Sequence, residues 1–360
     1  MIFIGLKVGF IMEAKVATEQ ALRNFIDRLI PQYQVYGPKK KKDQHAFDEL
    51  ISSNEADLHY PTTILPPKKF LIPPYEVLLT LKNDGASIPQ NLVFPKKLLI
   101  FGIHPCDLNG ILFLDKVFMD KFPSENYKKR RENLVLVALG CSEVSDTCFC
   151  SSLGTGPSIK SGFDLLLTPL REGYLVESGS KEGDKLITQI EGEAALAQDF
   201  SNKEQQIEVA KKKFKRSIKV DNLSEIFENN LNHEIWQRLG DIDLACGQCI
   251  NSCPTCYCFD VRDNLSIDLK ECSRYKEWDA CLLLEFSEVA LGGNFRRDRA
   301  ARIRQFMGHN LGWGGAAQYP DANVQFKCVG CGRCIRTCPV HIDITEVVAE
   351  LRGEKHTKSV

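Results

Sequence analysis

Cys328, Cys331, Cys334 and Cys338 follow one another as C-x2-C-x2-C-x3-C, and Pro339 closes the run. This spacing wraps three thiolates around one iron–sulfur cube, while the fourth Cys, before proline, reaches a second cube. Zinc sites use paired C-x-x-C steps across a longer gap, so a cluster is the better reading. A second run must then exist to exchange its last ligand. Cys246, Cys249 and Cys253, followed by Pro254, match the last three positions of the same pattern. The exchange groups Cys328, Cys331, Cys334 and Cys253 around one 4Fe-4S cluster. It groups Cys246, Cys249 and Cys338 around the other, with Asp243 where a fourth thiolate is expected. A carboxylate is a harder ligand than a thiolate and suits iron less tightly. Four readings of that corner stand side by side. Asp243 ligates, the cluster has three irons, Cys256 or Cys258 serves instead, or Asp243 is a surface acid.

A third constellation comprises Cys106, Cys141, Cys148 and Cys150. Four Cys from two strand-end loops suit another four-iron cluster or a zinc site, and buried free thiols are the plain alternative. The stretch Cys148-Phe149-Cys150 with Gly154-Thr155-Gly156-Pro157 fits no ordinary hairpin or helix turn. Cys272 and Cys281 read as packing residues. Arg296, Arg297, Arg299, Arg302 and Arg304 either offset the negative charge of thiolate-bound clusters or line a solvated basic helix.

The elements that must hold these residues divide the chain. Its 360 residues suggest two domains, and the 15 Cys are clustered as metal ligands rather than spread as disulfides. With 46 Lys+Arg against 47 Asp+Glu, the net charge of −1 gives no overall pull towards nucleic acid or acidic membranes. The apolar stretch Met1 to Ile11 is interrupted by Lys7 and is far short of a membrane span. Met12 then opens an amphipathic segment, Ala14 to Leu29, and is a candidate start. The expected location is the cytoplasm.

Residues 1–225 read as a mixed α/β domain carrying the third Cys set. Lys97 to Ile103 and Leu134 to Leu139 are buried-strand runs, each entering a Cys-bearing loop. Gly110 to Phe118 and Glu204 to Arg216 look helical, the latter with a basic face. The prolines of Leu65 to Pro74 predict an extended, structured loop. Lys39 to Lys42 reads as a solvated basic run. Residues 226–360 read as an all-helical domain, with helices expected at Leu223 to Leu239, Ser287 to Leu291, Arg296 to Phe306 and Ile344 to Leu351. Cys-rich loops at Leu239 to Asp260 and Lys327 to His341 lie between them. About 75 residues separate the two Cys runs, too many for a compact ferredoxin, which predicts a helical dicluster ferredoxin module. The fold class is α+β.

Several motifs together resemble one family. Ile103-His104-Pro105-Cys106-Asp107-Leu108, Thr147-Cys148-Phe149-Cys150 with Gly154-Thr155-Gly156-Pro157, and Cys253-Pro254-Thr255-Cys256-Tyr257-Cys258-Phe259 carry the likeness. Pro66-Pro67-Lys68-Lys69-Phe70 adds to it, and the resemblance spans about residues 30 to 350. The family is that of the beta subunit of cytosolic hydrogenase/sulfur reductases (sulfhydrogenases), together with the corresponding iron–sulfur subunit of anaerobic sulfite reductase. The resemblance implies a 4Fe-4S dicluster electron carrier. Its implied partners are a flavoprotein subunit, which binds flavin and nicotinamide, and a separate catalytic reductase or hydrogenase subunit. Asp243 departs from the family, which usually has Cys there.

No GxGxxG opens a βαβ unit and no GxxxxGK[ST] is present, so hydride chemistry is assigned to a partner. The expectation is a non-catalytic electron-transfer subunit of an oxidoreductase complex, with sulfite, sulfur or proton/H2 chemistry elsewhere. The alternative is a self-contained reductase acting at the incompletely thiolate-ligated cluster. A redox sensor would need a basic helix-turn-helix, which the sequence lacks. Leu65 to Pro74 and Glu204 to Arg216 are the candidate partner surfaces.

Overall fold

The computed structural model describes residues 13–82, 85–87, 94–315 and 325–354. Met1 to Ile11 and Met12 lie outside them. Residue Ala14 begins a strand rather than a helix. Ala14–Ala17 pairs antiparallel with Tyr174–Ser178, and Thr18 then caps the helix Glu19–Leu29 through its hydroxyl, which accepts from the Ala21 N–H. The Thr hydroxyl satisfies one orphan donor of the helix start.

An eight-stranded mixed sheet organises the first part. From edge to edge its strands are Glu193–Ala194, Ala14–Ala17, Tyr174–Ser178, Leu165–Pro169, Leu134–Leu139, Leu98–Ile103, Gln34–Lys41 and Gln44–Glu49. The neighbours Gln34–Lys41, Leu98–Ile103, Leu134–Leu139 and Leu165–Pro169 run parallel. Leu134–Leu139 is buried along its whole length, as parallel strands covered on both faces are. Leu98–Ile103 leads into the helix Pro105–Met119, so Cys106 sits in a helical first turn rather than in the loop expected. Pro105 at the helix start supplies a fixed φ where no N–H partner is needed.

Leu65 to Pro74 holds a short 3-10 turn, Pro67–Phe70, and turns inward. Pro66, Pro67, Lys68, Leu71 and Ile72 are buried, which removes it as a partner surface. The expected helix Glu204 to Arg216 is observed as Ala197–Lys211. Basic side chains on it and just after it pair within the chain: Lys203 to Glu177 at 2.6 Å, Lys213 to Glu143 at 3.3 Å and Lys215 to Asp146 at 2.9 Å. Lys39 and Lys41 lie on a strand and pair with Glu55 and Asp48, each at 2.7 Å.

The second part is not all-helical. Strands Phe259–Leu265 and Glu271–Trp278 form a hairpin that pairs with Tyr75–Lys82 and, through it, Gly85–Ser87. A small hairpin joins Glu288–Val289 to Gly293–Asn294 where a helix Ser287 to Leu291 was expected. The long hairpin escaped the hydrophobic pattern because it is mostly solvated. Charge pairs hold it instead, with Arg274 to Asp263 at 2.8 Å and Arg262 to Glu277 at 3.1 Å. Cys272 lies on this ribbon opposite Leu81.

Helices Leu223–Asn229 and Ile235–Ile242 replace the single helix expected there, and Arg299–Leu311, capped by Asp298, replaces Arg296 to Phe306. Ile344–Leu351 falls as expected. One apolar core lies around the large sheet, and a second gathers Phe227, Trp236, Ile303, Phe306, Leu311 and Val348 among these helices. No helix among the described residues is long and apolar enough to cross a membrane.

Candidate metal centres

Both Cys runs turn on short helices. Gln248–Asn251 follows left-handed Gly247, and Arg333–Arg336 follows left-handed Gly332. Ser252 and Thr337 hydroxyls, 3.3 Å apart, tie the two loops to each other. The exchange deduced from spacing has its counterpart in space: one apolar cavity is lined by Cys253, Cys328, Cys331 and Cys334, with Phe149, Phe306 and Ile344 around them. Backbone amides already point at the sulfurs. Gly330 N–H donates to Cys328 Sγ at 3.3 Å, and Ile342 N–H donates to Cys338 Sγ at the same distance. Such bonds favour the thiolate that iron requires. Burial raises Cys331 to about 12 and raises Cys328 and Cys334 as well, whereas Cys253 in the same cavity is lowered by its hydrogen bond with Cys256. Metal ligation would take the proton's place.

At the other corner Asp243 caps the helix Ile235–Ile242 and is buried. Its Oδ2 has no hydrogen-bond partner among the described residues. Burial raises its pKa, against the opposing pull of the Ala245 N–H, Arg299 and Arg302. Cys249 is raised by burial and then by the charges of Asp243, Cys246 and Cys338. A buried carboxylate oxygen without a partner calls for an explanation, and a surface acid would not be enclosed in this way. Cys256 and Cys258 turn elsewhere. Cys256 shares a hydrogen bond with Cys253 and lies 3.4 Å from Lys327 Nζ. Cys258 is held down at about 6 by a hydrogen bond from Cys281, despite burial.

The amino-terminal set is also assembled. Cys106, Cys148 and Cys150 are buried, Cys141 is half-buried, and each thiol is raised first by burial. The charges of Cys148 and Cys141 add to the rise at Cys150, and that of Cys150 to the rise at Cys106. It packs against the first cavity: Cys106, Cys150, Val329 and Cys331 make one buried cluster, and Cys148 Sγ donates to Cys331 O at 3.4 Å. Two glycines permit this approach. A Cβ on Gly330 would lie 2.6 Å from the Cys150 backbone, and one on Gly332 would strike the Thr147 carbonyl.

Three buried cations were not foreseen in these roles. Arg333, between Cys331 and Cys334, grips Asp107 at 2.5 and 2.7 Å and Thr63 at 2.8 and 2.9 Å, with both ionised side chains almost fully enclosed. Lys327 reaches Cys256 Sγ and His309 Nδ1, each at 3.4 Å. Burial works against its charge, but Cys256 and Cys253 outweigh it and hold its pKa up. Lys68 donates to the carbonyls of Cys256 at 2.7 Å and Ile250 at 3.3 Å. A basic residue touching a Cys run is the signal that marks Lys327 and Arg333. Lys68 has only its proline-rich setting. Positive charge inside a thiolate-rich interior offsets the cost of gathering negative charge there.

Fold and thiol geometry define an iron–sulfur protein of the dicluster type, and the family model for a 4Fe-4S dicluster domain matches residues 243–342. The chain belongs to the family of sulfhydrogenase beta subunits. It is 34% identical over 331 residues to Sulfhydrogenase 2 subunit beta of Pyrococcus furiosus, covering 91% of this chain and 95% of that relative. No solved structure matches it.

Proposed function

We propose that this chain is a cytoplasmic electron-transfer subunit, relaying electrons between a flavin/nicotinamide-binding partner and a terminal reductase or hydrogenase subunit. The relative's name, a subunit of a sulfhydrogenase, supports sulfur or proton/H2 chemistry at that terminal partner. The carrying observation is the row of three contiguous thiol sets, from the amino-terminal group through the central cavity to the corner of Asp243. Within the row, Cys253, Cys328, Cys331 and Cys334 would hold one 4Fe-4S cluster. Cys246, Cys249, Cys338 and Asp243 would hold a second, and Cys106, Cys141, Cys148 and Cys150 a third. Iron–sulfur clusters supply one-electron redox steps when bound. The protein's own part is to seat them in apolar walls, orient the sulfurs with backbone N–H groups and set potential through nearby charge.

Residues 1–225 and 226–360 remain the proposed domains, although Phe149, Ile218 and Leu223 pack in the helical core and the sheet containing Tyr75–Lys82 and Phe259–Trp278 crosses between them. The self-contained reductase would need an open iron position at this corner, where Asp243 is buried and Cys246 is exposed. The test is purification of the chain alone under anaerobic conditions. It should pass electrons to dyes after reduction, yet turn over neither sulfite, sulfur nor hydrogen. Steady turnover of any of the three by the isolated chain contradicts the carrier reading.

A further inference from the structure

The proline-rich segment sends one of its two lysines inward. The 3-10 turn Pro67–Phe70 is closed by the Leu71 and Ile72 N–H groups, which both donate to the Lys68 carbonyl, at 3.0 and 2.7 Å. Lys69 donates to the Phe47 carbonyl at 2.8 Å, within the amino-terminal sheet. Lys68 is 3% exposed, and its ammonium group reaches the loop that carries Cys253, more than 180 residues further along the chain.

Three electron-rich groups meet that ammonium. The carbonyl of Cys256 lies at 2.7 Å, that of Ile250 at 3.3 Å, and the centroid of the Trp278 ring at 4.6 Å. None of them is a donor, so the lone pair of a neutral amine would face only repulsion, and the geometry suits the charged form. The Trp278 ring is itself pinned, because its Nε1–H donates to Ile72 O at 3.0 Å. The Ile250 carbonyl also accepts from the Cys253 N–H at 3.1 Å, so Lys68 and the backbone of Cys253 share one acceptor. Pro254 follows at once and presses on the helix Pro105–Met119, where a Cβ on Gly110 would lie 2.8 Å from the Pro254 Cβ. The amino-terminal domain thus seats the Cys253 turn at two points.

Charge gives this contact a second role. Among the described residues no carboxylate stands within ion-pair distance of Lys68, nor of Lys327, whose Nζ lies 3.4 Å from the Cys256 sulfur. Two buried ammonium groups brought to one residue repel each other and are costly to desolvate unless negative charge is close. Burial pulls the Lys68 pKa down, and the charges of Cys256 and Cys253 oppose that pull. Cys253 is the thiol that crosses to the cavity of Cys328, Cys331 and Cys334. A four-iron cluster held there by four thiolates would be anionic, and reduction would add a further negative charge. A fixed positive charge beside one of its ligands favours the reduced state more than the oxidised one.

We propose that Lys68 is a positioning residue of the central site, through which the amino-terminal domain raises the reduction potential of the cluster that Cys253 would help to hold. It acts by bracing the Cys253 turn and by setting a buried positive charge against it. The proposal rests on the electron-carrier reading and adds the residue that tunes the middle of the relay.

The test is a redox titration of the anaerobically purified full chain, followed by paramagnetic resonance, with the signal missing from Cys253→Ala assigning the central cluster. Lys68→Gln keeps a donor and removes the charge. In it the reduced-to-oxidised ratio of that cluster at a fixed solution potential should fall at least tenfold, about 59 mV for one electron. The other signals should barely move, and Lys68→Arg, which keeps the charge, should stay close to the parent. A parental potential in Lys68→Gln overturns the proposal. An equal shift of every signal, or Lys68→Arg shifted as far as Lys68→Gln, also overturns it, because either outcome marks a packing role. Loss of the central signal from both variants overturns it for the same reason, whereas loss from Lys68→Gln alone, with Lys68→Arg at the parental potential, upholds it. Each of these results leaves the carrier reading standing. A parental chain without a reducible cluster defeats that reading, and this proposal with it.

Discussion

Replacing Cys253 with alanine removes about four irons per chain, and it removes them from the site built by the other motif. Cys253 lies in the run of Cys246 and Cys249, yet its sulfur lines the cavity of Cys328, Cys331 and Cys334. Cys338→Ala should do the reverse and disturb the site of Cys246 and Cys249. Iron analysis with paramagnetic resonance of the reduced protein separates the two outcomes. Asp243→Ala belongs to the same series and should convert the second cluster to a three-iron form, while Asp243→Cys keeps four irons and shifts the potential. If Cys253→Ala spares the cavity cluster and erases the one beside Cys246, the crossover is wrong. Spectra unchanged in both Asp243 variants make that carboxylate a bystander.

Breaking the pair of Asp107 and Arg333 carries the largest expected stability cost. Both side chains are enclosed, and the guanidinium spans from Thr63 to Asp107, with Arg333 between Cys331 and Cys334 in sequence. Removing one member strands the other charge away from water, at a cost of about 3–5 kcal/mol. Asp107→Ala or Arg333→Met should therefore lower the anaerobic unfolding midpoint sharply and speed bleaching of the clusters. Arg333→Lys does not rescue it, because an ammonium cannot reproduce the forked geometry. The double variant Asp107→Leu with Arg333→Met should recover much of the loss, since it leaves no orphaned charge. Single variants as stable as the parent would show that the pair does not join the two sites.

The cysteine grammar was legible because cluster ligation imposes a spacing that chance rarely produces. It predicted that Cys253 would cross to the Cys328 run, and it left Asp243 at the vacant fourth position. Leu134–Leu139 and Ile344–Leu351 were equally plain, one a continuous buried run and the other an amphipathic helix with a strong apolar stripe. The hairpin Phe259–Trp278 was not legible. Its faces are half-solvated and its register depends on Tyr75–Lys82, almost two hundred residues earlier in the chain. The apolar positions of Ser287 to Leu291 suggested a helix, whereas Gly292 and Gly293 favour the turn that forms. The proline-rich segment read as an extended loop and a candidate partner surface, and only the fold shows Lys68 donating to buried carbonyls. Local pattern records what a residue prefers; these cases were decided by distant partners.

The central claim is that three cysteine sets in one row each hold a multi-iron cluster. Iron and acid-labile sulfide per chain, measured on protein purified without oxygen, test it most directly. Three four-iron clusters predict about twelve of each, with little zinc. About eight irons with one zinc would take the Cys106 set out of the relay, and a chain folded with no sulfide would contradict the account outright.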